Sequence, residues 1–502
     1  MTVRKNIIAG WVAHLLTMVI GFFMMPYILG TVGEAQYGAW VFINAIAGYS
    51  TMIYSGFGAT ICRYVADRCS RKEWDKLNTI VSTIQVVYVG TASLVILFTS
   101  CCAWYAPMLQ NWGTLPLGEI QTSILIVGGT IGLGMIASVY GGVLIGTQRL
   151  DIIRGIEMVM GILRLVLTLV CLHEHFGLVT LALIFFVVTV VEHGTSAYFA
   201  YRQVPTLSIV PWKTEYETMQ ECFSFSAFNA ISLFAEYLIF FTDTVVIGIV
   251  LGPLAVVPYQ IGLRIAQMIR APIAQIGDVI LPKAGELHAR NAKWELGQLA
   301  AKGMGLAFLL SAGFLIGAYY FGNLLIQTWI GKGYTNSYTV LVLLIASQLV
   351  SLPMVVARNA LVGMGRVRRQ AFIDLSEAAL NLILSLVLIR YWGIIGVAWG
   401  TVIPLIGIEL FVLLPYAMRE LEISPSALWQ EVIAPQIPAH VALIVFCEVA
   451  SGYVPAAGWI PLMAVTLGGG AVLIAVRGLM ELLRSRSTPA PIPNAASEAL
   501  AG

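Results

Sequence analysis

Charge is what this sequence has least of. Asp, Glu, Lys and Arg make up 11% of its 502 residues against 59% hydrophobic, and mean hydropathy is +0.86. A soluble domain carries about a quarter charged residues, so a water-soluble globular protein is excluded and an all-α polytopic membrane protein is implied. No Gly-x-x-x-x-Gly-Lys-Ser/Thr phosphate loop occurs, so the chain hydrolyses no nucleotide of its own. The formal net charge of +2 offers nothing for nucleic acid to hold. Seven cysteines, at 62, 69, 101, 102, 171, 222 and 447, lack metal-ligand spacing and read as small apolar residues. The six histidines cluster only as His173-Glu174-His175, which reads as a solvated turn. With no catalytic constellation and no cofactor motif, the chain reads as a non-enzyme needing no cofactor.

What is abundant is membrane-length apolar sequence. A span needs about 20 apolar residues, and fourteen such runs can be placed: 6–30, 37–61, 78–102, 119–146, 155–172, 177–201, 220–250, 255–282, 297–320, 337–363, 371–390, 394–418, 431–452 and 457–477. The first follows Arg4 and Lys5 and has no small-residue cleavage site, so it reads as a permanent helix. Lys and Arg resist translocation. An N-terminus inside places 23 of the 28 on the cytoplasmic side, among them Arg63 to Lys76, Lys283 to Lys302, and Arg358 to Arg369. Only Lys332 and Arg390 then fall outside, and both termini are expected in the cytoplasm.

The chain also repeats itself. GVLIGTQR at 142–149 aligns with NALVGMGR at 359–366, and the same offset of 217 pairs Glu157 with Asp374, Glu192 with Glu409, and Arg202 with Arg419. FGLVTLA at 176–182 aligns with WGIIGVA at 392–398 at an offset of 216. Two parallel six-helix pseudo-repeat lobes follow, at 1–202 and 220–419, joined by a cytoplasmic linker at 203–219. Two further spans fill 420–480, and the Pro-, Ala- and Ser-rich residues 481–502 read as a disordered cytoplasmic tail.

Two six-helix lobes plus two spans, the basic dipeptide before the first span, the Gly-x-x-Arg segments after spans four and ten, and the turn LGTVGEAQYGAW carry a resemblance. In that turn Gly33, Tyr37, Gly38 and Trp40 form the pattern G-x-x-x-Y-G-x-W. The sequence resembles the polysaccharide-transporter, or O-antigen flippase, branch of the multidrug/oligosaccharidyl-lipid/polysaccharide exporter superfamily. The resemblance implies a flippase that moves undecaprenyl-pyrophosphate-linked O-antigen or exopolysaccharide repeat units across the bacterial cytoplasmic membrane by alternating access. It also implies membrane lipids, a polysaccharide polymerase and export machinery as partners.

An arginine at the bilayer centre costs at least ~2.5 kcal/mol, so it faces a partner or a water-filled cavity. Arg264 and Arg270 lie inside the eighth run and Arg164 midway along the fifth. Together with the resemblance, this suggests that Arg264 and Arg270 grip the substrate pyrophosphate with their planar donor forks. Arg164, with only Asn381 at the repeat-equivalent position, reads either as a second cavity cation binding substrate or as a snorkelling side chain. The alternative is structural: Glu236 and Asp243 share one stripe of the preceding span, and either could neutralise Arg264. Asp278, fourteen residues on, lies within about 40° of Arg264 on the same helix. Glu236, Asp243 and Glu377 are also candidates for proton- or sodium-linked coupling, and Asp278 for a further cavity charge. Glu157 and Asp374 read as helix-end charge pairs, and Glu192 and Glu409 as partners for lobe-closing arginines. A cation-coupled multidrug antiporter is the rival function, although it favours carboxylates over buried arginines. A membrane glycosyltransferase or polymerase fits less well, since the longest outer turns, near 103–118 and 321–336, lack an acid pair.

Overall fold

Lipid offers backbone amides no hydrogen-bond partner, so an apolar run of spanning length must satisfy them internally, as a helix does. The computed structural model describes residues 3–109, 112–172, 177–210, 238, 241–454 and 457–487, and among these there is no β-strand. In chain order the first six helices are α1 (Val3–Arg71), α2 (Trp74–Trp104), α3 (Ala106–Leu109), α4 (Leu117–Gly146), α5 (Leu150–Cys171) and α6 (Leu178–Gln203). They are followed by α7 (Phe241–Leu251). Next come α8 (Pro253–Ala289), α9 (Lys293–Trp329), α10 (Thr335–Gly363) and α11 (Val367–Ile408). A π-helical turn, Glu409–Leu413, leads into α12 (Leu414–Glu420), α13 (Pro425–Ala427), α14 (Ile437–Ser451) and α15 (Trp459–Ser487).

Nine of the described helical segments are long and apolar enough to cross a membrane. Two of them cover pairs of expected spans: Leu16–Tyr49 reaches into the first and second, and Val367–Glu420 covers the eleventh and twelfth. α5 and α8 are not among the nine. They are 22 and 37 residues long, and polar residues such as Arg164, Arg264 and Arg270 dilute their hydropathy. The protein is therefore all-α and polytopic. Of the expected seventh span, 220–250, only residue 238 and Phe241 onward belong to the described residues. α15 continues past residue 480 to Ser487, so the first residues of the expected tail are helical; those beyond 487 lie outside the described residues.

Where two spans share one helical run, a glycine makes the break. Gly33 has φ 81° and ψ 167° inside α1, and Gly393 has φ 56° and ψ −135° inside α11. A side chain at such φ meets its own backbone, and only glycine enters this region readily. Gly393 is the repeat partner of Gly177, which caps the start of α6.

By internal contacts the chain divides into two units. The first comprises Met1–Met268 with Val367–Ile408, and the second Ile269–Arg366 with Glu409–Gly502. In the first, α4 packs against the end of α1 through small residues, as membrane helices do. Gly142 faces Ile61, and a Cβ on Gly146 would stand 2.6 Å from that of Val65. Thr83, Thr99 and Thr130 donate to the carbonyls four residues back at 2.8, 2.9 and 2.7 Å, so these hydroxyls are satisfied within their own helices. At the α1–α2 junction, Glu73 accepts from Arg68 at 2.8 Å and from Lys76 at 3.3 Å. In the second unit, Phe321 of α9, Leu443 and Cys447 of α14, and Leu462 of α15 form one apolar cluster.

Candidate functional site

Within the first unit, α1, α5, α6, α7 and α8 enclose a cavity of about 680 Å³, inside the range of roughly 300–1,000 Å³ typical of small-molecule sites. Arg264 of α8 and Arg164 of α5 both line it. The Arg264 guanidinium rests against Gly21 of α1, where an added Cβ would lie 2.5 Å from Nη2. The absence of a side chain at residue 21 is what gives the fork its place. Among the described residues no carboxylate comes within salt-bridge distance of Arg264. Arg164 is held differently, with Cζ 5.5 Å from the centroid of the Phe185 ring. This is cation–π distance, and Glu192 of α6 supplies a counter-charge within electrostatic reach.

The rest of the lining is aromatic and amide. Trp40 meets Phe185 edge-on, with centroids 6.3 Å apart and planes at 83°. Asn44 donates from Nδ2 to the Trp40 carbonyl at 2.7 Å, and Gln260 donates to Thr244 Oγ1 at 2.6 Å. Among the described residues no Asp or Glu lines the cavity. The site is cationic, and an anion with an organic body is what it can hold.

Asp243 does something else. Buried on α7, it accepts Tyr259 Oη at 2.5 Å and Thr401 Oγ1 at 2.6 Å, with Ser385 Oγ at 3.4 Å from its other oxygen. Asn381 Nδ2 donates to Thr401 Oγ1 at 2.9 Å, while Asn381 Oδ1 is buried with no hydrogen-bond partner. Four side chains thus gather oxygen atoms around one carboxylate, an all-oxygen set suited to a proton or a hard cation. Among the described residues no group of three or more His, Cys, Asp or Glu is placed to hold a metal ion. Asp243 is hydrogen-bonded to hydroxyls here, and no ion pair joins it to Arg264.

The other sequence candidates fall as follows. Arg270 belongs to the second unit, within electrostatic reach of Glu409. Glu409 begins the π-helical turn, is buried, and pairs through Oε1 with Arg358 at 2.8 Å, so it does serve an arginine. Asp278, also in the second unit, accepts from Asn359 at 3.1 Å. Glu377 is buried on α11 in the first unit. Glu157 pairs with Arg154 at 2.7 Å near the start of α5. Glu236 and the His173–His175 turn lie outside the described residues.

Sequence pattern alone does not single out Gly21, Asn381, Ser385 or Thr401 as site residues. Its one available signal was a run of polar residues on α11, with Asn381 and Ser385 one turn apart and so on one face. Nothing local pointed to Gly21 or Thr401.

The fold and the site together define a polytopic helical membrane protein with a cationic cavity. The chain belongs to the polysaccharide biosynthesis protein family, which it matches over residues 3–288. It is similar to the uncharacterized membrane protein EpsK of Bacillus subtilis (strain 168), at 21% identity over 409 residues and 80% of each chain. It is also similar to the probable low-salt glycan biosynthesis flippase Agl15 of Haloferax volcanii, at 22% identity over 189 residues, covering 38% of this chain and 40% of that one. Among solved structures its fold is similar to the lipid II flippase MurJ in an inward closed conformation. There the TM-score is 0.74 at 11% identity, covering 96% of this chain and 99% of that one.

Proposed function

We propose that this protein is a flippase for lipid-linked oligosaccharides, moving undecaprenyl-pyrophosphate-linked repeat units of O-antigen or exopolysaccharide from the cytoplasmic to the outer leaflet of the bacterial cytoplasmic membrane. The observation that carries this is the cavity: two arginines among aromatic and amide side chains, with no carboxylate among its described lining residues. A pyrophosphate joined to sugar is an anion with an organic body, and guanidinium forks bind phosphate oxygens bidentately. A cationic drug would meet repulsion here, which disfavours the antiporter function. In this proposal Arg164 and Arg264 grip the headgroup inside the first unit, and Arg270 and Asp278 act on its passage elsewhere. Asp243, with Asn381, Ser385 and Thr401, is the coupling site for a proton or a sodium-class cation; Glu236 and Glu377 remain secondary candidates. Transport proceeds by alternating access of the two repeated lobes, 1–202 and 220–419, across the 203–219 linker, with both termini in the cytoplasm. A polysaccharide polymerase and export machinery take the product onward.

The test is export of surface glycan in a strain lacking its own copy of the gene, with protein abundance measured alongside. Arg264→Gln should abolish export and Arg264→Lys should keep part of it, both at normal membrane levels. Full export by Arg264→Gln would end the headgroup proposal.

A further inference from the structure

Guanidinium forks account for a phosphate, yet they occupy only part of a cavity of about 680 Å³. Hydrogen-bonding groups on its wall without a partner among the described residues include the Trp40 indole N–H, the Gln267 amide, and Oδ1 of Asn44, whose Nδ2 alone is used. All three belong to the first unit, as do both cavity arginines. Trp40 is half-buried and braced edge-on by Phe185, whose ring is also engaged by Arg164. Phe185 is therefore committed to holding its neighbours, Phe241 packs on Tyr49 and Tyr37 is buried. Of the aromatic residues lining the cavity, Trp40 is thus the one that is half-buried and not committed elsewhere beyond its edge contact.

A flat indole beside uncommitted amide groups is the complement of a pyranose, which has an apolar C–H face and a rim of hydroxyls. We propose that Trp40, with Asn44 and Gln267, forms a sugar subsite in this cavity. It seats the first pyranose of the glycan next to the pyrophosphate held by Arg164 and Arg264. The inference rests on the lipid-linked glycan proposal above and deepens it: bare polyprenyl pyrophosphate fills only the cationic part, and the protein favours lipid that already carries sugar. Trp40 then makes the protein a checkpoint, since lipid released after glycan transfer is a poor competitor for the cavity.

The experiment measures binding of two probes to purified full-length protein in nanodiscs, undecaprenyl pyrophosphate and the same lipid bearing one glucose through its pyrophosphate. Wild type should bind the glucosylated lipid about tenfold more tightly. Trp40→Leu should erase that difference by weakening the glucosylated lipid far more than the bare lipid, and Trp40→Phe should restore most of it. Arg264→Gln should weaken both probes alike. Equal loss of both probes in Trp40→Leu, with a normal elution profile, would overturn the subsite by showing that Trp40 only supports the cavity. Equal binding of the two probes by wild type would overturn it as well. If wild type binds neither probe, the underlying lipid-linked glycan proposal fails first and the subsite falls with it.

Discussion

At the scale of single residues, the position of a charge is set as much by what is missing around it as by what is present. Arg264 keeps its place because Gly21 has no side chain. Gly21→Ala should therefore push the fork aside without removing its charge or unfolding the helix, since the far end of a flexible side chain is what must move. Export is expected to fall severalfold, while Gly30→Ala on the same half of α1, where an added Cβ meets nothing within 4 Å, leaves it unchanged. Asp243 makes the opposite case, a buried carboxylate held by three hydroxyls. Asp243→Asn keeps the shape and loses the charge. Transport assayed in vesicles should then lose its response to an imposed proton or sodium gradient, while binding of undecaprenyl pyrophosphate survives. A wild-type gradient response in that variant would remove Asp243 from coupling. Arg270 shares the field of Glu409 with Arg358. Arg270→Lys is expected to retain partial export and Arg270→Gln none, because lysine keeps the charge and loses the bidentate fork.

Among the elements, the helices were legible because a bilayer demands about 20 apolar residues per crossing, and that demand leaves its mark in the sequence whatever the tertiary contacts. That Arg164 and Arg264 would line a cavity was legible for a related reason: a guanidinium is too costly in lipid to sit there without a partner or water. The oxygen cluster around Asp243 was not. Asn, Ser and Thr in a membrane helix are commonly satisfied by their own turn, as Thr83 and Thr99 are, so their chemistry does not stand out. The contacts of Asp243 with Ser385 and Thr401 span 142 and 158 residues of chain, a distance no local pattern crosses. The short α1–α2 turn gives a prediction of its own. Hydrogen bonding to Arg68 first, and then to Lys76, holds the Glu73 carboxyl below the ordinary glutamate range. A carboxyl depressed in the folded state stabilises above its unfolded pKa, and that contribution is lost as pH falls through the depressed value. Glu73→Gln should thus melt slightly below wild type at neutral pH in low salt and coincide with it in strong acid. The neutral-pH gap should close with added salt, because the group is exposed.

For the whole molecule, the expected topology rests on where Lys and Arg cannot go. On a background with the native cysteines replaced, single cysteines at 70, 290 and 368 should label from the cytoplasm and one at 332 from outside. Labelling of 290 and 332 from the same side would break both the orientation and the parallel repeat from which the lobes were derived. The repeat also has a limit that the structure makes concrete. Glu192 and Glu409 are repeat partners, yet the first lies near Arg164 of α5 and the second pairs with Arg358 of α10. Under the proposed repeat the two carboxylates meet cations on different helices, so a mechanism cannot be transferred from one lobe to the other by symmetry.

The two helix-breaking glycines carry a genetic consequence. Every amino acid reachable from a glycine codon by one base change has a Cβ, and at Gly33 the ψ of 167° also lies outside the left-handed helical region that asparagine tolerates. In an exhaustive library of point variants selected for glycan export, codons 33 and 393 should be depleted of almost every substitution, while neighbouring apolar codons accept exchanges among Leu, Ile, Val and Met. Drift can rewrite most of the greasy sequence of this chain, but it has almost no neutral path through those two codons.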